Sequence, residues 1–170
     1  MIELRKITWD NFHECINLKI TDEQEERDYV PSNTYSLAQA YVAVLSLRGN
    51  ENEISPTPQT YAIYNDEKMI GFTWFYYDTV TNEYDSEPCY VILRFMIDKQ
   101  YQNKGLGKQA MAKILSHIKT YPYGEAKAVY LSYDRRNTAA IKLYQSLGFK
   151  ETGEYLRDDE VVTKLVLQTI

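Results

Sequence analysis

Ile97-Asp98-Lys99-Gln100-Tyr101-Gln102-Asn103-Lys104-Gly105-Leu106-Gly107-Lys108 joins an apolar run to the most regular helical pattern of the chain. Glycines placed where a loop enters a helix remove side chains and leave backbone N–H groups pointing outward, the geometry that binds phosphate oxygens. Lys99, Lys104 and Lys108 make this the most basic segment of an acidic protein, with Asp98 at its edge. A Walker loop would need Gly at 102 and Ser or Thr at 109, where the chain carries Gln102 and Gln109. Gly105-Leu106-Gly107-Lys108-Gln109-Ala110 fits G-x-G-x-x-A, and Glu125 follows about 20 residues on, as in a dinucleotide fingerprint. The context differs, because seven residues separate Ile97 from Gly105 and Glu125 precedes the next strand instead of ending it. The plainest alternative is a pair of glycines that ease a helix start.

Upstream of this loop, Tyr90 to Ile97 is apolar on both faces and reads as a central strand. Downstream, Leu106, Ala110, Met111, Ile114, Leu115 and Ile118 recur at helical spacing until Pro122 and Gly124 stop them. Ala128 to Tyr133 is strand-like, Asn137 is a fair N-cap for a helix through Leu147, and Gly148 ends it. Phe149 to Thr152, Tyr155 to Arg157 and Val161 to Leu167 close the chain as strands, the last pair around Asp158-Asp159. Toward the N-terminus, Tyr61–Tyr64 and Met69–Tyr77 flank the turn Asn65-Asp66-Glu67-Lys68 as a hairpin. Ahead of a linker-like stretch from Arg48 to Thr60, an opening strand leads to two helices, Phe12–Lys19 and Tyr35–Leu47, separated by the acidic run Asp22–Asp28. The pattern predicts one domain over 1–170, an α/β (mixed α+β) fold with a mixed, mostly antiparallel sheet of six to seven strands flanked by about four helices.

With 170 residues, 44% of them apolar, the chain is long enough for one ordinary core. A net charge of −5 lacks the basic stripe of a nucleic-acid binder, and no apolar run approaches the roughly 20 residues of a membrane span. The N-terminus has no signal-peptide pattern, so a cytoplasmic protein is expected. Cys15 and Cys89 stand far apart and read as packing residues. His13 and His117 have no ligand-spaced partners, so no metal is expected, and no G-x-S-x-G elbow points to a hydrolase. The 16 Tyr fit a lined cleft, an interface or half-buried strand positions.

Gln102-Asn103-Lys104-Gly105-Leu106-Gly107 after an apolar strand resembles the acetyl-CoA signature Q/R-x-x-G-x-G/A of the GNAT-type N-acetyltransferases. About 30 residues on, Asn137-Thr138-Ala139-Ala140-Ile141-Lys142-Leu143-Tyr144-Gln145-Ser146-Leu147-Gly148-Phe149 is similar to that superfamily's Asn…A…Tyr…GF helix. The element order resembles the family's splayed sheet over the whole chain. Arg94 to Gln102, Gly153-Glu154 and the two-helix N-terminus are similar to bacterial polyamine acetyltransferases of the spermidine/spermine type.

The resemblance implies acetyl-CoA as co-substrate, no metal, and a small-molecule amine as acceptor: a polyamine, or alternatively an amino acid, peptide N-terminus or aminoglycoside. It places the pyrophosphate on the amides of Gln102, Asn103, Lys104, Gly105, Leu106, Gly107 and Lys108, and the pantetheine arm along Phe95, Met96 and Ile97 like an added strand. Members often pair, so a homodimer is among the expectations. A protonated amine, with a pKa near 10.4, must lose a proton before it attacks, and coenzyme A leaves as a thiolate whose thiol has a pKa near 8.5. Tyr144 is the expected proton donor. It lies seven residues from Asn137, close to two helical turns, so both share one face; the plainer reading is a core stripe of Ala140, Ile141, Tyr144 and Leu147. Where many relatives carry a carboxylate inside the central strand, this chain has Leu93 and Arg94. The base role passes to the acidic loop of Asp78, Glu83, Asp85 and Glu87, with Glu87 the favoured residue, and Arg94 is expected to pair with a carboxylate. These acidic residues and Asp22–Asp28 are expected to rim the cleft and to favour an acceptor with a second positive charge. The missing in-strand carboxylate leaves a second reading, a CoA-binding sensor without turnover.

Overall fold

In the computed structural model, residues 1–49, 57–79, 84–156 and 159–167 are described. They form, in chain order, β1 (Ile2–Lys6), α1 (Phe12–Asn17), α2 (Asp22–Glu26), α3 (Asn33–Gly49), β2 (Gln59–Asn65), β3 (Lys68–Asp78), β4 (Cys89–Ile97), a 3-10 turn (Lys99–Tyr101), α4 (Leu106–Ile118), β5 (Ala128–Asp134), α5 (Thr138–Ser146), β6 (Lys150–Leu156) and β7 (Glu160–Val166). The strands make one seven-stranded sheet in the order β1-β2-β3-β4-β5-β7-β6. Every neighbouring pair is antiparallel except β4 and β5. The mostly antiparallel mixed sheet expected from the sequence is therefore present.

Five α-helices accompany it among the described residues, one more than expected. The acidic run read as a separator is itself helical at α2. Thr21 and Gln24 close a capping box there, which satisfies orphan amides at both ends of the box, and Asp22, Glu23 and Glu25 occupy the first turn, where the helix dipole favours negative charge. The predicted strand pieces 149–152 and 155–157 merge into β6, which stays continuous around Gly153 because that glycine takes φ 86° at a register shift between Glu151 and Tyr155. Most of the predicted linker, and Glu83, Arg157 and Asp158, lie outside the described residues.

Both faces of the sheet are covered. On one, α4 contributes Ala110, Met111, Ile114, Leu115 and Ile118 and α5 contributes Tyr144, packed on Tyr90, Ile92, Ile97, Val129, Leu131 and Tyr133. On the other, Cys15 of α1 and Ala40 of α3 pack on Ala62, Tyr64, Phe72, Trp74 and Met96, and Tyr84 covers Cys89, Val91, Tyr130 and Val162. Cys15 and Cys89 are both buried in this packing, as expected.

Candidate active site

Two irregularities in β4 create the site. First, Trp74 pairs with Arg94 and Phe75 with Ile92, so Leu93 opposes no residue of β3. This bulge shifts the alternation: Tyr90 and Ile92 face α4 before it, Phe95 and Ile97 after it, while Leu93 and Met96 face α1 and α3. Second, β4 and β5 share only the register pairs Tyr90↔Val129 and Val91↔Tyr130. Beyond them the strands part, and β4 from Leu93 to Ile97 presents an unpaired backbone edge to the gap.

A cleft of about 720 Å³ fills this gap. Phe95, Met96, Ile97, Gln102, Asn103, Gly105, Gly107, Lys108, Asn137 and Tyr144, ten of the expected site residues, line it together, so segments distant in sequence meet in one cleft. Lys104 and Leu106 do not line it; Lys104 Nζ donates to the Gln100 carbonyl at 2.7 Å, and Leu106 packs on the core. Lys99 pairs with Asp22 at 3.3 Å, leaving Lys108 as the lysine of this loop that reaches the cleft.

The loop is held from behind. Gln102 Nε2 donates to the Ile97 carbonyl at 2.8 Å and to Gln24 Oε1 at 2.9 Å, which ties the loop to the capping box of α2. Asp98, buried, accepts from the amides of Gln100 at 2.9 Å and Lys19 at 2.8 Å. Gly105 caps α4 at φ 73° with no atom within 4 Å of where a Cβ would stand. The N-terminal amides of α4 are thus approachable, as a phosphate cradle requires.

Asn137 Oδ1 accepts from the Ala140 amide at 3.1 Å, so this side chain caps α5 while lining the cleft. The Tyr144 ring stacks on Tyr133 at 5.9 Å and meets Phe149 edge-on at 5.8 Å. Among the described residues its hydroxyl takes no hydrogen-bond partner. Burial, with the neighbouring Tyr133, pushes this phenol well above its ordinary value, so it remains protonated at neutral pH.

The acidic loop before β4 is placed elsewhere. Glu87 is exposed and pairs with Lys127 at 2.6 Å. Asp85 is held by Tyr130 at 2.7 Å and Lys164 at 3.1 Å; burial opposes its charge, but these two bonds bring its carboxyl below the usual range. Neither these two nor Asp78 lines the cleft. The reason is topological: they precede Cys89, at the end where β4 and β5 are joined, whereas the cleft opens at the other end. From the first acidic run, Gln24 and Asp28 do line it. Arg94 donates to Gln39 Oε1 at 3.0 Å and to the Leu93 carbonyl at 2.8 Å, with its guanidinium over the Trp74 ring.

The sequence reading missed the carboxylates that do reach this space from the far strands, Asp134 and Glu160. Asp134 is bound at 2.9 Å by Arg136 Nε, and this bond lowers its pKa. Glu160 is half-buried and accepts from Ser132 Oγ at 3.2 Å.

The parted β4–β5 pair thus lies beside the approachable amides that open α4. A profile of the acetyltransferase (GNAT) family matches residues 3–149, and the chain belongs to that family as an N-acetyltransferase. It is 30% identical over 127 residues to a probable spermine N(1)-acetyltransferase from Bacillus subtilis subsp. natto (strain BEST195), covering 66% of this chain and 82% of that protein. Its fold is that of spermidine N-acetyltransferase from Vibrio cholerae, solved with CoA and spermine, at TM-score 0.67, 15% identity, 97% of this chain and 95% of that one. PaiA N-acetyltransferase from Thermoplasma acidophilum, solved with coenzyme A, superposes at TM-score 0.62 with 16% identity over 98% and 99% of the two chains. No helix of the described residues is long and apolar enough to cross a membrane.

Proposed function

We propose that the chain transfers the acetyl group of acetyl-CoA to a primary amine of a polyamine such as spermidine or spermine. The observation that carries the reading is one cleft that joins a cradle of helix-terminal amides to a wall bearing Asp28, Asp134 and Glu160. An anionic donor suits the first part and a polycationic acceptor the second. The 30% identity to a probable spermine acetyltransferase supports the same class.

The residues present fit the donor. The open space at Gly105 admits a phosphate to the amides at the start of α4, with Lys108 beside it. The free β4 edge at Phe95–Ile97 offers amide and carbonyl groups to an extended amide-bearing arm, as a neighbouring strand would. Acetyl-CoA supplies an acyl group activated as a thioester. Tyr144 holds a proton at the phenol oxygen and donates a hydrogen bond to developing thiolate charge. A cytoplasmic setting follows from the need for this donor.

Thiol release from acetyl-CoA, measured with spermine, spermidine, lysine, an aminoglycoside and an alanyl peptide, tests the reading. Polyamines are expected to give the highest kcat/KM. A higher kcat/KM for any acceptor of the panel other than a polyamine overturns it.

A further inference from the structure

We propose that Glu160 is the carboxylate that receives the acceptor's ammonium group and accepts its proton, an inference that rests on the amine-acetylation reading above. Alternation along β5 sends Leu131 and Tyr133 to the face of α4 and α5, where Tyr144 stacks on Tyr133. Ser132 and Asp134 therefore lie on the opposite face, the side of Tyr130 and Tyr84. In the β5–β7 register Asp134 pairs with Glu160, so Glu160 shares that face, and its carboxylate takes the Ser132 hydroxyl at 3.2 Å. Tyr144 and Glu160 thus line one cleft from opposite faces of the sheet, and the gap beyond Val91 and Tyr130 connects them. An amine held at Glu160 meets a thioester on the Tyr144 side through that gap.

The other carboxylates are less suited. Asp134 is committed to Arg136, which also takes its Oδ1 through the backbone amide at 2.8 Å. Asp28 is exposed, so its charge is screened by solvent. Glu160 is half-buried, and among the described residues its side-chain partner is the Ser132 hydroxyl and no cation. Arg135 fixes the strand end through Asp159 at 2.7 Å, without engaging Glu160.

The step balances. The ammonium gives one proton to Glu160, an uphill transfer because a primary amine binds protons about six orders of magnitude more tightly than a carboxylate, and release of that proton from Glu160 to bulk water near neutral pH draws the transfer forward. The nitrogen lone pair forms the C–N bond as the C–S bond breaks, and the bonding pair leaves with sulfur. A second nitrogen proton balances the one that sulfur acquires, and the third remains on the amide.

Glu160→Gln keeps the shape and a partner for Ser132 but removes the charge. The test uses whichever acceptor of the panel gives the highest wild-type kcat/KM, so that a non-polyamine winner overturns the polyamine reading while leaving this one measurable. Expected is a loss of at least about 10²-fold in acceptor kcat/KM, with acetyl-CoA affinity within threefold of wild type and partial recovery in Glu160→Asp. Retained acceptor kcat/KM in a Glu160→Gln protein that binds acetyl-CoA overturns the inference, as does a larger loss in Asp28→Asn than in Glu160→Gln. Equal recovery by Glu160→Ala and Glu160→Asp also overturns it, since it removes any need for the carboxylate. A wild type with no turnover on any amine overturns both readings.

Discussion

Replacing Tyr144 by Phe separates a packing residue from a chemical one. The ring is buried between Tyr133 and Phe149, and Phe preserves both contacts. Because the hydroxyl has no hydrogen-bond partner among the described residues, removing it leaves no buried group unsatisfied. The expected stability change is below the roughly 1 kcal/mol of an ordinary lost hydrogen bond. Loss of a positioned donor to the leaving thiolate should cost about 10²–10⁴ in kcat, or about 3–5 kcal/mol of activation free energy. The two magnitudes differ enough that one variant decides between them. Thermal unfolding reports the first, and thiol release at saturating acetyl-CoA and acceptor reports the second. Burial holds the phenol protonated beyond its ordinary range, so the wild-type rate should show no alkaline decline from Tyr144 up to about pH 10. Turnover within threefold of wild type in Tyr144→Phe would refute the assignment and leave the residue as part of the core stripe.

Gly105→Val places a branched side chain at φ 73° where phosphate must approach, and acetyl-CoA affinity measured by calorimetry should fall at least about tenfold in a protein that still folds. Gly71→Ala drives a Cβ against the Met96 carbonyl oxygen and to within 2.9 Å of Ile97 Cδ1, so β3 and β4 must separate; a loss of about 1–3 kcal/mol in urea unfolding is expected. Burial raises Tyr133, which also donates to Glu151, and Tyr130, which is near Lys164 and Asp85, to about 12 each. A phenol with a folded pKa above its unfolded value of about 10 contributes stability that is complete below pH 10 and lost as pH rises toward 12, so the urea midpoint should fall across that window.

What was legible in the sequence was local. The spacing of Ala110, Met111, Ile114, Leu115 and Ile118 gives α4 because one helix face must meet the sheet, and these five residues are its buried ones. The loop glycines and the Asn137 cap are also local chemistry, and Asn137 does cap α5. The bulge at Leu93 was not legible, since nothing in a fully apolar run marks where one residue drops out of register with β3. Nor were the carboxylates of the cleft. Asp85 and Glu87 looked closer to the active strand than Glu160 does, yet direction along β4 decides, and they enter at its joined end. Glu160 reaches the cleft through a contact with Ser132, 28 residues away along the chain. The alternation of β5 could have marked Ser132 and Asp134 as one face, but their β7 partner follows only from the antiparallel register.

The brevity of the β4–β5 ladder has a mechanical meaning. β1 to β4 and β5 to β7 are each continuous antiparallel blocks, formed from separate stretches of the chain and sewn together at two register pairs. Such a seam is the most compliant line in the sheet, and a molecule bound along the β4 edge reinforces it. Amide protons of β5 that exchange through seam opening should therefore slow on donor binding, by an amount set by donor concentration over its dissociation constant, while those inside the β2–β3 hairpin should change far less.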